Sequence, residues 1–355
     1  MFPITQSMRR LFARVAPARR RSRRAANILK ERFYSGFWES RAREMGLGLE
    51  NLGYGFMRLS EANSATIVRD SLVRLDDFLI YKVSSNKLVV HRLLEKFGVP
   101  VPAWTTTLTP EVPEKAAALL QNGQTLVCKP AYGSGGGTGV ITGLRSLDEL
   151  QRAIKQTLSI CDTALIEEFV AGNSYRLLFL DGVLLDAVHR KPPTVKGDGK
   201  RSISQLIAAE NEYRLRAEPC VALSILVPDV EMKLMLRAAQ FTLASVPPDG
   251  SIIQLKSVVN QNSTVNNSRV YEHVHESILE LCKKAIAALD VRLAGVDLIA
   301  EAINRPANEQ KLAINEINCL PGLHHHYLVS NHSPDFCVAT KIIQAAMSKS
   351  SGETG

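Results

Sequence analysis

The spacing of hydrophobic residues predicts short helices and strands over most of the chain. Helical periodicity covers residues 33–45, 86–96, 111–121 and 146–158. Short apolar or alternating segments predict strands, namely LENLGYGFMRLS, ATIVRDSL, TLVCKP, ALIEEFV, AGVDLIA and AINEINCLPG. The pattern therefore favours a folded protein that mixes both kinds of element.

A tight hairpin is predicted at Asp181-Gly182, because this dipeptide is a strong signal for a two-residue turn between strands. Strict alternation along the two strands places Arg176 with His189 on one face and Arg190 on the other. We therefore expect both arginines to serve one site only if the hairpin twists or bulges.

The composition is that of a globular protein with its excess positive charge at one end. The chain has 355 residues, of which 45% are hydrophobic, enough for a packed interior and too many for wholesale disorder. No apolar run approaches the roughly 20 residues that span a bilayer, so we expect no transmembrane segment. The formal net charge is +8. Residues 1–32 contain nine arginines and Lys30 against Glu31, which leaves the rest of the chain nearly neutral.

This basic tail, residues 1–32, lacks the continuous apolar stretch of a secretory signal. The favoured interpretation is a solvated tail or first helix. Two alternatives stay open: contact with an acidic partner such as nucleic acid, anionic lipid or a polyanionic substrate, and a transit peptide if the source is eukaryotic. Six scattered cysteines without a C-x-x-C pair predict reduced thiols, and hence a cytoplasmic protein.

A glycine-rich loop follows a strand that ends with a lysine. Five glycines lie between Gly133 and Gly139, directly after Lys129. Loops of this kind let backbone N–H groups close on a phosphate chain, although flexible linkers have a similar composition. A buried lysine before the loop favours an anion there, and the return to a strand at 140–143 predicts a hairpin flap. The spacing matches neither a P-loop nor a Rossmann motif.

Three oxygen-bearing side chains lie in two predicted strands near the carboxyl end. Asp297 belongs to AGVDLIA, and period-two alternation places Glu316 and Asn318 on one face of the second strand. Such hard ligands suit Mg²⁺ better than zinc. A turn cap at Asp297 and a salt bridge at Glu316 are the alternative, but acids within apolar strands favour the metal site.

The order of several segments resembles the ATP-grasp superfamily: SSNKLVVHRLLEKFGVPVP, LVCKPAYGSGGGTGV, LIEEFVAGNSYRLLFL, AGVDLIA and INEINCLPGL. The segments AVHRKPPTVKGDGKRSISQLI and SVPPDGSIIQLKSVVNQNSTVNN are similar to the ATP-grasp part of cyanophycin synthetases and their stand-alone relatives. The resemblance covers about residues 38–336. It does not include the Mur-ligase-like half of a full cyanophycin synthetase, so we do not expect this chain alone to make polymer.

The resemblance implies an α+β, ATP-grasp fold in which two lobes grip ATP. The implied divisions are the basic tail, a small N-terminal subdomain at 33–86, a first lobe at 87–165, a second lobe at 166–345 and a disordered C-terminus at 346–355. The implied activity is an ATP- and Mg²⁺-dependent carboxylate–amine ligase that works through an acyl phosphate, releases ADP and phosphate, and acts on an amino acid or small peptide. Two alternatives remain: modification of a protein or peptide docked by the basic tail, and a nucleotide-binding regulator without turnover.

The same resemblance implies the roles of individual residues. Expected ATP contacts are Lys87, Lys129, Gly133, Ser134, Gly135, Gly136, Gly137, Gly139, Glu167, Glu168, Phe169, Val170 and Ser174. The expected catalytic groups are Arg176, Arg190 and Lys129, which neutralise the γ-phosphate or the substrate carboxylate. Asp297, Glu316 and Asn318 are expected to hold two Mg²⁺ ions, with Mn²⁺ as an alternative. The expected substrate contacts are Asn260, His324 and His326. The sequence leaves open whether the protein is a homo-oligomer.

Overall fold

The computed structural model describes residues 6–133, 137, 139–333 and 336–351, with side chains from residue 24 to residue 348 within those ranges. Ser134, Gly135 and Gly136, which were expected to contact ATP, lie outside the described residues. In the part of the chain that is described, no helix has the length and apolar character to cross a bilayer.

A single long helix, α1 (Gln6–Glu44), contains most of the basic tail and continues into the body. Leu29 and Trp38 are fully buried, and Arg32 donates from Nη1 to the carbonyl oxygen of Leu215 at 3.0 Å. The predicted boundary at residue 32 therefore falls inside a packed helix. The folded body begins at Ala25 or earlier, since this residue is also buried.

The N-terminal subdomain is an antiparallel meander of β1 (Gly48–Gly53), β2 (Phe56–Glu61) and β3 (Ser64–Arg69). Its inner face packs with α1 and with the last helix, α9 (Val338–Ser351). Ala346 and Met347 are buried in this cluster. Helix α9 therefore continues past the boundary predicted at residue 346, where its apolar face is still packed.

The first lobe is an antiparallel sheet covered by helices. Its strands, in the spatial order β4-β7-β5-β6, are β4 (Trp104–Thr107), β7 (Ala164–Glu168), β5 (Leu126–Pro130) and β6 (Ile141–Leu144). The helices of this region are α2 (Phe78–Ser84), α3 (Lys87–Lys96), α4 (Glu114–Gln121) and α5 (Leu147–Leu158). Helix α3 packs on the core of the second lobe through Val90 and Leu94, so the lobe boundary in space does not coincide with residue 87.

The second lobe is built on a larger antiparallel sheet in the order β12-β9-β8-β13-β14. Its elements are β8 (Asn173–Leu180), β9 (Val183–Arg190), β12 (Asn267–Arg269), α8 (Glu276–Leu289), β13 (Leu293–Ala300) and β14 (Leu312–Cys319). One face is apolar and packs on α3 and α8, through residues such as Leu177 and Val296. The opposite face packs on the cluster around α1 and α9 at one end, through Leu178 and Leu293, and carries polar side chains at the other end, which form the site described below.

An inserted module lies between β9 and β12. It contains β10 (Thr194–Lys196), α6 (Ile203–Arg216), α7 (Val230–Ala238) and β11 (Ile252–Gln254), around a small apolar core of its own. The fully buried Arg214 joins its parts by donating to the carbonyl oxygens of Ser224 (3.1 Å) and Gln261 (2.8 Å). The module thereby fixes a loop, residues 257–261, beside the site.

Candidate active site

A β-bulge brings the two predicted arginines to the same face of the hairpin. Leu178 lies opposite Asp186, because Leu185 is an extra residue in β9. One extra residue reverses the alternation of the strand beyond it. Arg190 consequently shares its face with Arg176, and the condition set by the sequence is met through the bulge rather than through twist.

The two arginines converge on one carboxylate. Arg176 lies opposite Asp297 in the β8–β13 pairing and binds it in a bidentate manner, with Nε–Oδ1 at 2.6 Å and Nη2–Oδ2 at 2.8 Å. Arg190 Nη1 lies 3.4 Å from the same Oδ1. Burial alone would raise the pKa of Asp297, but the two guanidinium groups outweigh it and lower that pKa below its usual value. Asp297 is therefore an ionised, buried anchor.

The other two predicted metal ligands lie beside Asp297. Glu316 is its partner in the β13–β14 pairing, and Asn318 donates from Nδ2 to Asp297 Oδ2 at 3.2 Å. Among the described residues, no group of three or more His, Cys, Asp or Glu side chains is arranged for a metal ion. Two carboxylates and one amide still fit Mg²⁺, whose remaining ligands are typically phosphate oxygens and waters.

Both predicted lysines reach this second-lobe sheet from the first part of the chain. Lys87, the first residue of α3, places Nζ 3.5 Å from Glu316 Oε1. Lys129, in β5, donates to Asn315 Oδ1 at 3.3 Å, and Asn315 is itself an extra, bulged residue of β14. The structure therefore gathers the lysines, the arginines and the oxygen donors where the two lobes meet.

Glu167 forms buried ion pairs that the sequence did not predict. Its carboxylate is 2% exposed and lies 2.6 Å from Lys129 Nζ and 2.6 Å from His91 Nε2. Burial would raise the pKa of Glu167, but these two partners lower it to about 2. The carboxylate was expected to contact adenine; here it neutralises a buried lysine instead.

The other residues of the strand predicted to contact adenine already have some of their polar groups paired within the protein. The backbone N–H of Glu168 donates to Ala103 and that of Phe169 to Thr125, each at 2.8 Å. The Glu168 side chain accepts from Lys311, whereas Phe169 is exposed and Val170 is buried. The adenine assignment of this strand stays a prediction, as does the ribose assignment of Ser174, which is half-buried opposite Arg190.

The glycine flap touches the predicted substrate loop. Gly137 has φ +71°, and a Cβ at this position would lie 2.6 Å from Asn260 Nδ2, so no larger residue fits without movement. The flap strand β6 adds a hydrogen bond of 2.7 Å between the hydroxyl groups of Thr142 and Ser257. Arg190 donates from Nη2 to the Val259 carbonyl at 3.3 Å, so loop 257–261 contacts both the flap and the arginine. The remaining predicted glycines, Gly133 and Gly139, are the described residues at the two ends of the flap.

The three consecutive histidines lie in a short 3-10 turn, Leu323–His326, after β14. Gly295 permits the close approach of the chain before this turn, since a Cβ there would lie 2.6 Å from Pro321 Cβ and 3.1 Å from Arg176 Nη1. His324 Nδ1 lies 3.0 Å from the hydroxyl of Tyr34 in α1, and His326 Nδ1 lies 2.8 Å from Asp186 Oδ2. The turn thus connects the site to the first helix and to β9.

Sequence reasoning missed several residues of the site. Asp186 is an acid within an apolar strand, the same signal that identified Asp297, and it went unused. His91 lies four residues after Lys87, a spacing that puts both on one helix face. Arg269, which binds Asp186, and the bulged Asn315 carried no signal that could be read from spacing alone.

The chain is similar in sequence to cyanophycin synthetases and to glutathione biosynthesis proteins. No family model matches the chain. It is 28% identical to a cyanophycin synthetase of Trichormus variabilis over 255 residues, which are 71% of this chain and 28% of that protein. It is 24% identical to a glutathione biosynthesis bifunctional protein of Clostridium perfringens over 274 residues, 76% of this chain and 35% of that one. The chain therefore spans about a third of the length of these curated relatives.

A solved structure supports the same assignment of fold. The bifunctional glutathione synthetase of Pasteurella multocida superposes with a TM-score of 0.54 and 21% identity, covering 86% of this chain and 42% of that chain. The predicted α+β fold with two lobes is confirmed. From the fold and the sequence relatives together, the chain is similar to ATP-grasp ligases, among them the cyanophycin synthetases.

Proposed function

We propose that this protein joins a carboxylate to an amine through an acyl phosphate, at the expense of ATP. The carboxylate oxygen attacks the γ-phosphorus of ATP, and ADP leaves. The amine nitrogen then attacks the acyl carbon, the C–N bond forms and phosphate leaves. No nucleophile of the protein is needed, so the side chains act by positioning and by neutralising charge.

The observation that carries the proposal is the environment of Arg190. This guanidinium is 6% exposed, and its nearest carboxylate, Asp297, is already bonded to Arg176. Burial and the neighbouring Arg176 lower the pKa of Arg190 to about 10, against a usual value of 12.5. Its Nε has no hydrogen-bond partner among the described residues. A buried cation in this condition favours a bound anion, and a transferring phosphoryl group supplies one.

The other residues have consistent roles. Lys129 approaches from the first lobe and Lys87 from the beginning of α3, and both would hold phosphate oxygens. Asp297, Glu316 and Asn318 would hold Mg²⁺, which neutralises the phosphate charge when bound. The flap and loop 257–261 already meet in this structure, which supports exclusion of water from the transferring group.

The substrate class is inferred from the relatives. Cyanophycin synthetase and the glutathione biosynthesis protein are named for products built from amino acids, and an amino acid or a small peptide is the proposed substrate here. Modification of a larger peptide docked on α1 is a variant of the same chemistry.

The test is to incubate the protein with ATP, Mg²⁺ and a mixture of the common amino acids and their glycyl dipeptides. Mass spectrometry should find a new amide together with ADP. Asp297→Asn should reduce its formation about 100-fold or more, because the anchor of both arginines is lost. Asp181→Asn is a matched control, since Asp181 forms a bidentate pair with Arg292 at the exposed end of the same strands. AMP with pyrophosphate, or full activity of the Asp297 variant, would contradict the proposal.

A further inference from the structure

A buried carboxylate fixes the protonation state of one histidine in the 3-10 turn. Asp186 and His326 are both 0% exposed. Asp186 accepts from Arg269 Nε at 2.7 Å through Oδ1 and lies 2.8 Å from His326 Nδ1 through Oδ2. An ionised carboxylate can only accept hydrogen bonds, so the proton of the neutral imidazole resides on Nδ1. The lone pair is consequently on Nε2.

That Nε2 atom has no hydrogen-bond partner among the described residues, although it is buried. Buried polar atoms are nearly always paired, which makes this one a candidate for contact with a ligand. The bulged register puts Asp186 on the same face as Arg176 and Arg190. The turn bonded to Asp186 therefore lies on the site face. An unpaired acceptor, His326 Nε2, and an unpaired donor, Arg190 Nε, thus lie on the same side of the sheet, close enough for the Arg190 charge to act on His326.

This combination fits the second half-reaction of the proposed ligase. Arg190 Nε suits an acyl-phosphate oxygen, and His326 Nε2 suits an N–H of the incoming amine. We propose that His326 is the general base for amide formation, with Asp186 and Arg269 as positioning residues. As the amine nitrogen attacks, the C–N bond forms, the C–O bond to phosphate breaks and phosphate leaves with that electron pair. The ammonium form of the amine gives one proton to His326 Nε2 as it becomes nucleophilic, and the departing phosphate takes the second proton of the nitrogen. The Asp186 carboxylate stabilises the resulting imidazolium. This inference rests on the proposed function.

The surroundings keep His326 neutral near pH 7. Burial is the largest cause that lowers its pKa below the usual 6.5; Arg176 and Arg190 lower it further, and Asp186 partly opposes them. The charged and titratable groups that face it are Asp186 from β9, Arg176 and Arg190 from β8 and β9, His324 and His325 from its own turn, and Arg269 of β12 behind Asp186.

The neighbouring histidines are less suited to this role. His324 is bonded through Nδ1 to Tyr34, and its ring lies 3.9 Å from that of His325. In the described part of the chain, His326 is the member of the turn whose Nδ1 is held by a carboxylate.

The experiment compares two nucleophiles in the His326→Gln variant. The amino-acid and glycyl-dipeptide mixture supplies amines that are protonated in water, whereas hydroxylamine is largely unprotonated at neutral pH and traps an acyl phosphate without a base. The variant should lose amide formation by about 100-fold or more and keep hydroxamate formation within about threefold of wild type. His189→Gln is the matched control: His189, in β9, likewise has a pKa lowered by burial, but it lies on the opposite face of the sheet.

The outcomes separate the two proposals. If wild-type protein forms neither amide nor hydroxamate, both the proposed function and the role of His326 as general base are wrong. Wild-type protein that forms both, beside a His326 variant that keeps amide formation or loses both products equally, overturns the base alone. The pH profile adds a further readout. Wild-type amide formation should fall as pH drops through the lowered pKa of His326, and this limb should be absent from the residual activity of the variant.

A second measurement does not depend on turnover. Long-range ¹H–¹⁵N spectra of histidine-labelled protein should show His326 as the Nδ1–H tautomer, assigned by its loss in His326→Gln. The Nε2–H tautomer, or a protonated ring at neutral pH, would overturn the inference even if the variant folds poorly.

Discussion

Replacing Glu167 by Gln tests the buried ion pair beneath the proposed phosphate site. The substitution keeps the shape of the side chain and removes the charge that faces Lys129 and His91 at 2.6 Å each. The pKa of Glu167 falls from 4.5 to about 2, which corresponds to about 3 kcal/mol of stability at neutral pH. Removing one partner of a buried pair typically costs about 3–5 kcal/mol, so the two figures agree in magnitude.

The assay is urea unfolding near neutral pH and again at about pH 3. At neutral pH, Glu167→Gln should lower the free energy of unfolding by about 3 kcal/mol. Because the folded-state pKa is lowered, the contribution of Glu167 is complete above about pH 4.5 and disappears as pH falls through about 2. The difference between variant and wild type should therefore shrink in acid.

Glu168→Gln is the matched control for this experiment. Glu168 is the next residue of β7 and pairs with Lys311, whose side chain is 56% exposed. Loss of this ion pair should therefore lower the free energy of unfolding by less than about 1 kcal/mol. The reasoning fails if the two variants are equally stable, or if the effect of Glu167→Gln does not change with pH.

Two further substitutions probe how the site is supported. Glu231→Gln weakens the three hydrogen bonds that the Glu231 carboxylate accepts from Ser257 N, Ser257 Oγ and Val258 N. The free energy of unfolding should therefore fall by about 1–3 kcal/mol, and KM for ATP should rise several-fold. A lower stability with an unchanged KM would show that loop 257–261 does not support the flap. Gly295→Ala places a Cβ 3.1 Å from the Arg176 guanidinium and should lower ligase turnover about tenfold, measured as ADP release. Gly36→Ala, in a helix with no atom within 4 Å of the added Cβ, should leave turnover unchanged, and equal turnover in both glycine variants would refute the packing argument.

The sequence predicted most elements because their hydrophobic periodicity reflects one-sided burial. The helix predicted at 86–96 and the strand that carries Lys129 are present as α3 and β5, with Asn86 as the N-cap of α3. The beginning of the folded body was harder to place. The high arginine content around Ala25 and Leu29 hides two buried positions that only the packing of α1 reveals.

The sequence indicated which residue types the candidate site contains, but not which side chains contact one another. Alternation along one strand cannot show a bulge, because the extra residue is fixed by the neighbouring strands and the core; the positions of Arg190 and Asn315 therefore required the structure. The ion pair of Glu167 could not be predicted, for a related reason. A carboxylate at the end of a strand can face either a ligand or a buried cation, and the choice depends on where Lys129 and His91 lie in space.

Because of the bulge at Leu185, the face of the sheet on which Arg190 lies depends on the number of residues in β9. A one-residue deletion between Asp186 and Arg190, with the bulge kept, would turn Arg190 toward the face that packs on α8, while Asp186 kept its place opposite Leu178. Point substitutions at Leu185 are mild by comparison, since they leave the count intact. Insertions and deletions, rather than exchanges of side chains, are thus the changes that this hairpin is least able to tolerate.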